Sequence, residues 1–241
     1  MAFYDELSPY YDQMISFESR FENEKKIFEN VLHKFPAKTI LDAGCGSGYH
    51  SILLSCLGAK VTGFDPSPQM INLAGQNAKT YHCILDFYET NFLNFQQLIK
   101  LKFDAIYSLG NSFVHLLNKD DIFQALKKFN SALNTNGYVC IGIVNYDKVI
   151  KTGQTEISKK EKNGVVLHRF NTLNENTVTF HVNISGKENH HFETELYPLT
   201  SLKLTYLATK AGFKNIQLYG NLKLDNYKQY ESENIVAFLK K

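Results

Sequence analysis

The stretch LDAGCGSGYH, Leu41 to His50, decides the fold. Gly44, Gly46 and Gly48 stand at alternate positions. The run Thr39-Ile40-Leu41 leads in as a strand, and Tyr49 to Leu57 leads out as a helix ending at Gly58. A strand, a glycine turn and a helix in that order form a nucleotide-binding turn, because glycine lets the backbone come close to a ligand at the helix start. The open question at this point is which nucleotide.

Working outward, Phe17, Phe21, Ile27, Phe28, Val31, Leu32 and Phe35 recur at helical spacing. They predict an amphipathic helix over Phe17 to Phe35, stopped by Pro36. Lys60 to Phe64 reads as a second strand, ended by Asp65. Ser67-Pro68 then opens a helix to about Ala78, with serine at the N-cap and proline at the first helical position. Ile84 to Tyr88 and Phe103 to Ser108 read as the third and fourth strands. Asp120-Asp121 opens a helix that ends near Leu133. Asn136-Gly137 is a turn before a fifth strand, Tyr138 to Val144, which is apolar almost throughout. Such strands separated by helices indicate a parallel sheet covered on both faces.

After Asn145 the rhythm changes. Val165 to Phe170, Thr177 to Val182 and His191 to Leu196 alternate in polarity, with turns rich in Asn and Gly between them. They predict an antiparallel insertion of three or four strands. Thr200 to Ala211 as a helix, and Asn215 to Tyr219 and Asn234 to Leu239 as strands, restore the earlier pattern. The expected fold is therefore α/β: a Rossmann-like, doubly wound, mostly parallel seven-stranded sheet, with an antiparallel β insertion. The core spans residues 1–150 and 197–241, and the insertion spans 151–196.

The 241 residues suffice for one large domain with an insertion. The net charge is only +2, and the lysine clusters are short (Lys25-Lys26, Lys127-Lys128, Lys159-Lys160, Lys240-Lys241) and read as solvated faces, so no nucleic-acid footprint is visible. Nothing approaches 18 uninterrupted apolar residues, which argues against a membrane partner. Cys45, Cys56, Cys83 and Cys140 form no C-x-x-C pair and sit in or beside apolar runs, as free buried thiols do; this favours a reducing, cytoplasmic setting. The start MAFYDELSPYYD has acids where a secretory signal needs basic residues.

Spacing discriminates between nucleotides. A dinucleotide turn is G-x-G-x-x-G around a pyrophosphate. Here it is G-x-G-x-G, with Asp42 just before it. A carboxylate there suits an ammonium group better than a pyrophosphate. Asp65 stands 21 residues after Gly44, where an acid can accept from both ribose hydroxyls. A ribose without phosphate, joined to an amino acid, is S-adenosylmethionine.

LDAGCGSG followed by VTGFDPS resembles the class I S-adenosylmethionine-dependent methyltransferases, and the likeness extends over nearly the whole chain. The resemblance implies that Gly44, Gly46 and Gly48 pass under the methionine part, that Asp65 binds the ribose, and that Pro66 to Met70 flank the adenine. It implies an acceptor for the adenine amino group after the third strand. Alignment of ILDFYETNFLNF puts Asn91 there, followed by Phe92; the family usually has aspartate, but an asparagine carbonyl can also accept.

YSLGNSFVHLL (Tyr107 to Leu117) and IVNYDKVI (Ile143 to Ile150) resemble the glycine/sarcosine N-methyltransferase branch and related bacterial small-molecule enzymes. That likeness implies that Leu109 touches the cofactor and Asn111 faces the acceptor. It implies that YDELSPYYDQM closes over the sulfonium through Tyr11, that Arg20 binds the cofactor carboxylate, with a solvated helix position as the alternative, and that Tyr197 contacts substrate. Arg169 is a candidate reader of an acceptor carboxylate, with a solvated strand position as the alternative. His115 is a candidate base, with a structural loop histidine as the alternative. His190-His191 could suggest metal, yet no carboxylate or cysteine stands at ligand spacing, so no metal is expected.

The expected activity is transfer of a methyl group to a small-molecule acceptor, with an amine nitrogen favoured over a hydroxyl. The insertion would form a lid that excludes water, and it can also mediate a homo-oligomer. Competing readings are a hydroxyl-directed methyltransferase and a non-catalytic protein that binds the cofactor or its product. A nucleic-acid methyltransferase lacks its Asn-Pro-Pro-Tyr-type motif here.

Overall fold

The computed structural model describes residues 2–15, 17–162, 164–186 and 188–241, leaving aside the side chains at positions 2, 9, 11–15, 18, 19 and 162. The glycine turn lies between β1 (Thr39–Ala43) and α3 (Tyr49–Cys56), after α1 (Ala2–Ile15) and α2 (Phe17–Lys34). Next come β2 (Lys60–Asp65), α4 (Pro68–Thr80), β3 (Asp86–Glu89), α5 (Phe95–Leu98) and β4 (Phe103–Ser108). A 3-10 turn (Ser112–His115), α6 (Lys119–Ala132), β5 (Leu133–Val144) and α7 (Tyr146–Thr152) complete the first half. The second half is β6 (Glu156–Lys162), β7 (Val165–Leu173), β8 (Val178–Ser185), β9 (His190–Leu196), α8 (Ser201–Lys210), β10 (Asn215–Tyr219) and β11 (Asn234–Lys240).

The main sheet has the order β10-β11-β5-β4-β1-β2-β3. β3, β2, β1, β4 and β5 pair in parallel, and β11 runs antiparallel to both β5 and β10. β5 shows why these strands are apolar throughout. Val139, Ile141 and Ile143 join the core on one face, while Tyr138 and Cys140 join the core on the other. Successive side chains point to opposite faces, and here both faces are covered. The first core is built on α6 and α8 with Phe113 and Phe129. The second is built on α2 and α3 with Phe28, Leu53 and Leu54.

The second sheet, β6-β7-β8-β9, is wholly antiparallel. Its inner face carries Val182 and Ile184, which pack on Leu7 of α1. α1 also reaches the main sheet, where the Ser67 hydroxyl donates to Asp5 Oδ1 at 2.5 Å.

Four expectations are corrected. The third strand starts at Asp86, two residues after Ile84, and Ile84 is fully exposed. Asn136-Gly137 lies within β5, which begins at Leu133; Asn136 takes a left-handed φ of 63° and the pairing with β4 shifts register before Ala105. Residues 2–15 form a helix that the sequence reading did not assign. Cys45 and Cys140 are buried free thiols as expected, but Cys56 is exposed and Cys83 only half-buried. Among the described residues, no helix is long and apolar enough to cross a membrane.

Candidate active site

All three turn glycines are left-handed, with φ of 78° at Gly44, 53° at Gly46 and 82° at Gly48. A Cβ on Gly44 would lie 2.8 Å from Cβ of Ser112, so both backbone angle and space demand glycine there. The amides of Gly44 and Cys45 both donate to the Phe64 carbonyl at 2.9 Å, which ties the turn to β2. The next amide, Gly46, donates to Asp65 Oδ2 at 3.0 Å, and the Ser67 amide donates to Oδ1 at 3.0 Å.

Asp65 is therefore a buried clamp between the turn and α4. Burial pushes its carboxyl up to about 6, against the lowering effect of the Ser67 and Gly46 amides, while Asp42 and Asp5 nearby add to the rise. A carboxylate has roughly four acceptor positions. Two amides occupy one on each oxygen, which leaves one on each oxygen for a pair of hydroxyls.

Two clefts, of about 790 and 1050 Å³, meet above this turn at the carboxyl end of the strands. The first is walled by Gly44, Gly46, Asp65, Pro66, Met70 and Phe92. The second is walled by Asn111, Val144, Arg169, Phe180, Leu196 and Asn221. Tyr4, Arg20, His50, Leu109, Gly110 and His115 border both. Arg20 is aimed by two neighbours: its Nε donates to Glu24 at 2.9 Å, and its guanidinium carbon lies 4.3 Å from the centre of the Tyr49 ring. Burial raises the Glu24 carboxyl, but the His50 ring 3.7 Å away and the hydrogen bond from Arg20 outweigh it and hold the group at about 2. The Glu24 carboxylate thus stays charged beneath Arg20.

At the junction, His115 Nε2 lies 2.9 Å from the Tyr4 hydroxyl. Burial lowers the imidazole to about 4, so it is neutral near pH 7. Asn111 sits at a left-handed φ of 70° and is held on both sides. Its Oδ1 accepts from the Val144 amide at 3.0 Å, and its Nδ2 donates to the Tyr146 hydroxyl at 3.1 Å. Arg169 Nε donates to the Ser158 hydroxyl at 2.9 Å, so β6 orients the guanidinium.

Several sequence candidates stand elsewhere. Asp42 does not line either cleft; it is buried under α3, where the Ser51 hydroxyl donates to it at 2.6 Å and burial raises its carboxyl. Gly48 serves helix packing, since a Cβ would lie 3.0 Å from that of Ala74. Asn91 is not brought to the site either: its Oδ1 accepts from the amides of Leu93 and Asn94, both at 3.0 Å, closing its own loop. Tyr197 packs against the core with Lys203 5.0 Å above its ring, and borders neither cleft. The Tyr11 side chain lies outside the described residues.

Residues missed by sequence reasoning include Tyr4, Ser47, Tyr49 and Ser112. Each lay within a stretch already singled out: Tyr4 in the opening segment, Ser47 and Tyr49 in LDAGCGSGYH, and Ser112 in YSLGNSFVHLL. The premise about metal also fails. His190 and His191 are neighbours on a strand and face opposite ways. His190 meets Tyr10 at 2.9 Å, while a carboxylate, Glu193, stands 3.3 Å from His191.

The first cleft fits an adenosyl amino acid. Asp65 would offer acceptors to a diol and Arg20 a cation to a carboxylate, and Pro66, Met70 and Phe92 give apolar walls. The buried Ser47 hydroxyl, on the same wall, has no hydrogen-bond partner among the described residues.

Comparison with known proteins agrees. Residues 40–137 match the family model described as a methyltransferase domain. A glycine/sarcosine N-methyltransferase of Aphanothece halophytica is 27% identical over 232 residues, covering 96% of this chain and 86% of that protein. Another of that name, from Halorhodospira halochloris, is 29% identical over 88% of this chain and 79% of its own length. An S-adenosylmethionine-dependent methyltransferase from Clostridium acetobutylicum ATCC 824 superposes with a TM-score of 0.81 over 98% of both chains, at 16% identity, which speaks for the fold. The matched domain, these relatives and the shared fold support an S-adenosylmethionine-dependent methyltransferase.

Proposed function

We propose that the chain methylates the nitrogen of a small amine that also carries a carboxylate. The observation that carries this reading is the second cleft, which holds Arg169 and meets the donor cleft at Leu109, Gly110 and His115. A guanidinium offers a rigid fork that matches a carboxylate. The glycine/sarcosine N-methyltransferases among the relatives act on acceptors of this kind by name.

When bound, the donor supplies a methyl group on a positively charged sulfur that departs as a neutral thioether. The chain's own work is positioning. Asp65, Arg20, Pro66, Met70 and Phe92 hold the donor, and Asn111 shapes the acceptor side of the junction. β6 to β9 form a lid over the acceptor cleft, and α1 brings Tyr4 onto His115. An imidazole at about 4 is a weak base. It suits an amine, which needs only a free lone pair, better than a hydroxyl, which needs its proton removed.

The test is release of S-adenosylhomocysteine, followed by mass spectrometry, with a panel of amino acids, plain amines and hydroxy acids. Turnover with a carboxylated amine is expected. Turnover restricted to hydroxyl acceptors, or to amines without a carboxylate, overturns the proposal.

A further inference from the structure

The outer face of the second sheet carries a second constellation, away from both clefts. β8 and β9 pair so that His181 lies opposite Glu193 and Asn183 lies opposite His191. His181 and His191 are thus diagonal neighbours, a separation long side chains can bridge. Glu193 Oε2 is 3.4 Å from His181 Nδ1 and 3.3 Å from His191 Nε2. Among the described residues, these three form the group of histidine, cysteine and acidic side chains whose ligand atoms lie close enough, within 4.8 Å, to share an ion.

Asn183 sets the tautomer of one ring. Asn183 Oδ1 lies 2.6 Å from His191 Nδ1, and an amide oxygen only accepts, so Nδ1 carries the proton. The lone pair of Nε2 is left facing Glu193. On the other ring, Thr172 Oγ1 lies 3.0 Å from His181 Nε2. His181 Nδ1, which faces Glu193, is buried and has no hydrogen-bond partner among the described residues. Phe170 stacks on the His181 ring at 4.6 Å and holds its plane. With His181 Nε2–H donating to the Thr172 hydroxyl, two imidazole lone pairs and a carboxylate oxygen converge on one point. Such a group is stable only with a cation among its members.

We propose that His181, His191 and Glu193 bind a divalent transition-metal ion of the zinc type. Zinc takes imidazole nitrogen and carboxylate oxygen at about 2.0–2.2 Å, which places tetrahedral ligands about 3.3 Å apart. The two distances to Glu193 already have that value, and side-chain rotation closes the third. Asn183 and Thr172 are the outer partners that fix ring orientation in such sites. Two imidazoles exclude magnesium and calcium, which prefer oxygen ligands throughout. The fourth position opens to solvent, since Glu193 and His191 are both more than half exposed. The ion would cross-link β8 to β9 on the face opposite the acceptor cleft.

The probe is zinc chloride alone, titrated calorimetrically into the untagged full chain, with thermal melts in parallel. One zinc per chain is expected, together with a rise in Tm. His191→Ala and His181→Ala should each weaken binding more than ~10-fold and remove the rise in Tm. Glu193→Gln, which keeps the shape, should weaken binding in the same direction if either alanine variant folds poorly. His33→Ala, an exposed histidine elsewhere, should bind as the parent does. No stoichiometric binding, or binding that survives both His191→Ala and Glu193→Gln, overturns the site. Imidazole NMR showing only a protonated histidine paired with Glu193 and no response to zinc overturns it as well.

Discussion

The two sheets handle polar residues in opposite ways. The main sheet is covered on both faces, so its chemistry is confined to the carboxyl ends of the strands, where Asp65 and Leu109 emerge. The second sheet has one face on α1 and the acceptor cleft and one in water, so its strands alternate, and function can sit on either side. Arg169 and His168 show the division. They are adjacent in β7, yet Arg169 borders the acceptor cleft while His168 stacks with Phe170 on the outer face. Under the proposed function, the main sheet would hold the donor by backbone shape, and the second sheet would read the acceptor by side chains.

Separating donor from acceptor functions tests this contrast. The largest effect belongs to Asp65→Ala. Losing two hydrogen bonds to a charged acceptor, about 1.5–3 kcal/mol each, should weaken S-adenosylhomocysteine by ~100-fold or more. Calorimetry checks it, and an unchanged Kd would remove Asp65 from the donor site. Next is Arg169→Ala, expected to raise the KM for a carboxylated amine by about tenfold or more while leaving S-adenosylhomocysteine affinity as it was. A loss of donor affinity instead would merge the two sheets' roles.

The pH dependence of donor binding follows from Asp65. Its folded pKa, about 6, is raised above the usual 3.8, and only the ionised carboxylate accepts from both hydroxyls. Affinity should therefore be full above about pH 6 and fall as pH drops through it, by up to about tenfold per unit. Fold stability moves the other way, since the folded state holds the proton more tightly. Between roughly pH 3.8 and 6 the Asp65 contribution to stability declines as pH rises. A flat affinity profile across that range would count against the diol reading. The smallest effect is Tyr4→Phe, which removes one hydrogen bond to His115, about 1 kcal/mol, and should lower kcat/KM by ~5-fold.

What could be read from the residues alone divides along the same line. The glycine turn, Asp65 and the capped start of α4 carry local signals that survive folding. Ser67 does cap α4, accepting from the Met70 amide at 3.1 Å. α1 was missed because Pro9 interrupts its middle and argues against a helix. β6 was missed because EISKKEK is nearly all polar, as suits an edge strand protected by lysines. Asn91 was placed by spacing along the chain, which carries no account of what its side chain bonds to locally. The partners of Glu193 come from three-dimensional register: residues 181 and 191 are ten apart in sequence yet diagonal in the sheet.

The lowered pKa of His115 bears on more than base strength. The donor is itself a cation, and the junction of the clefts lies beside Arg20, a permanent positive charge. A second charge on His115 would repel the sulfonium. Burial holds the imidazole uncharged until the solution is near pH 4, so across the range where Asp65 is ionised the ring adds no electrostatic barrier to donor entry.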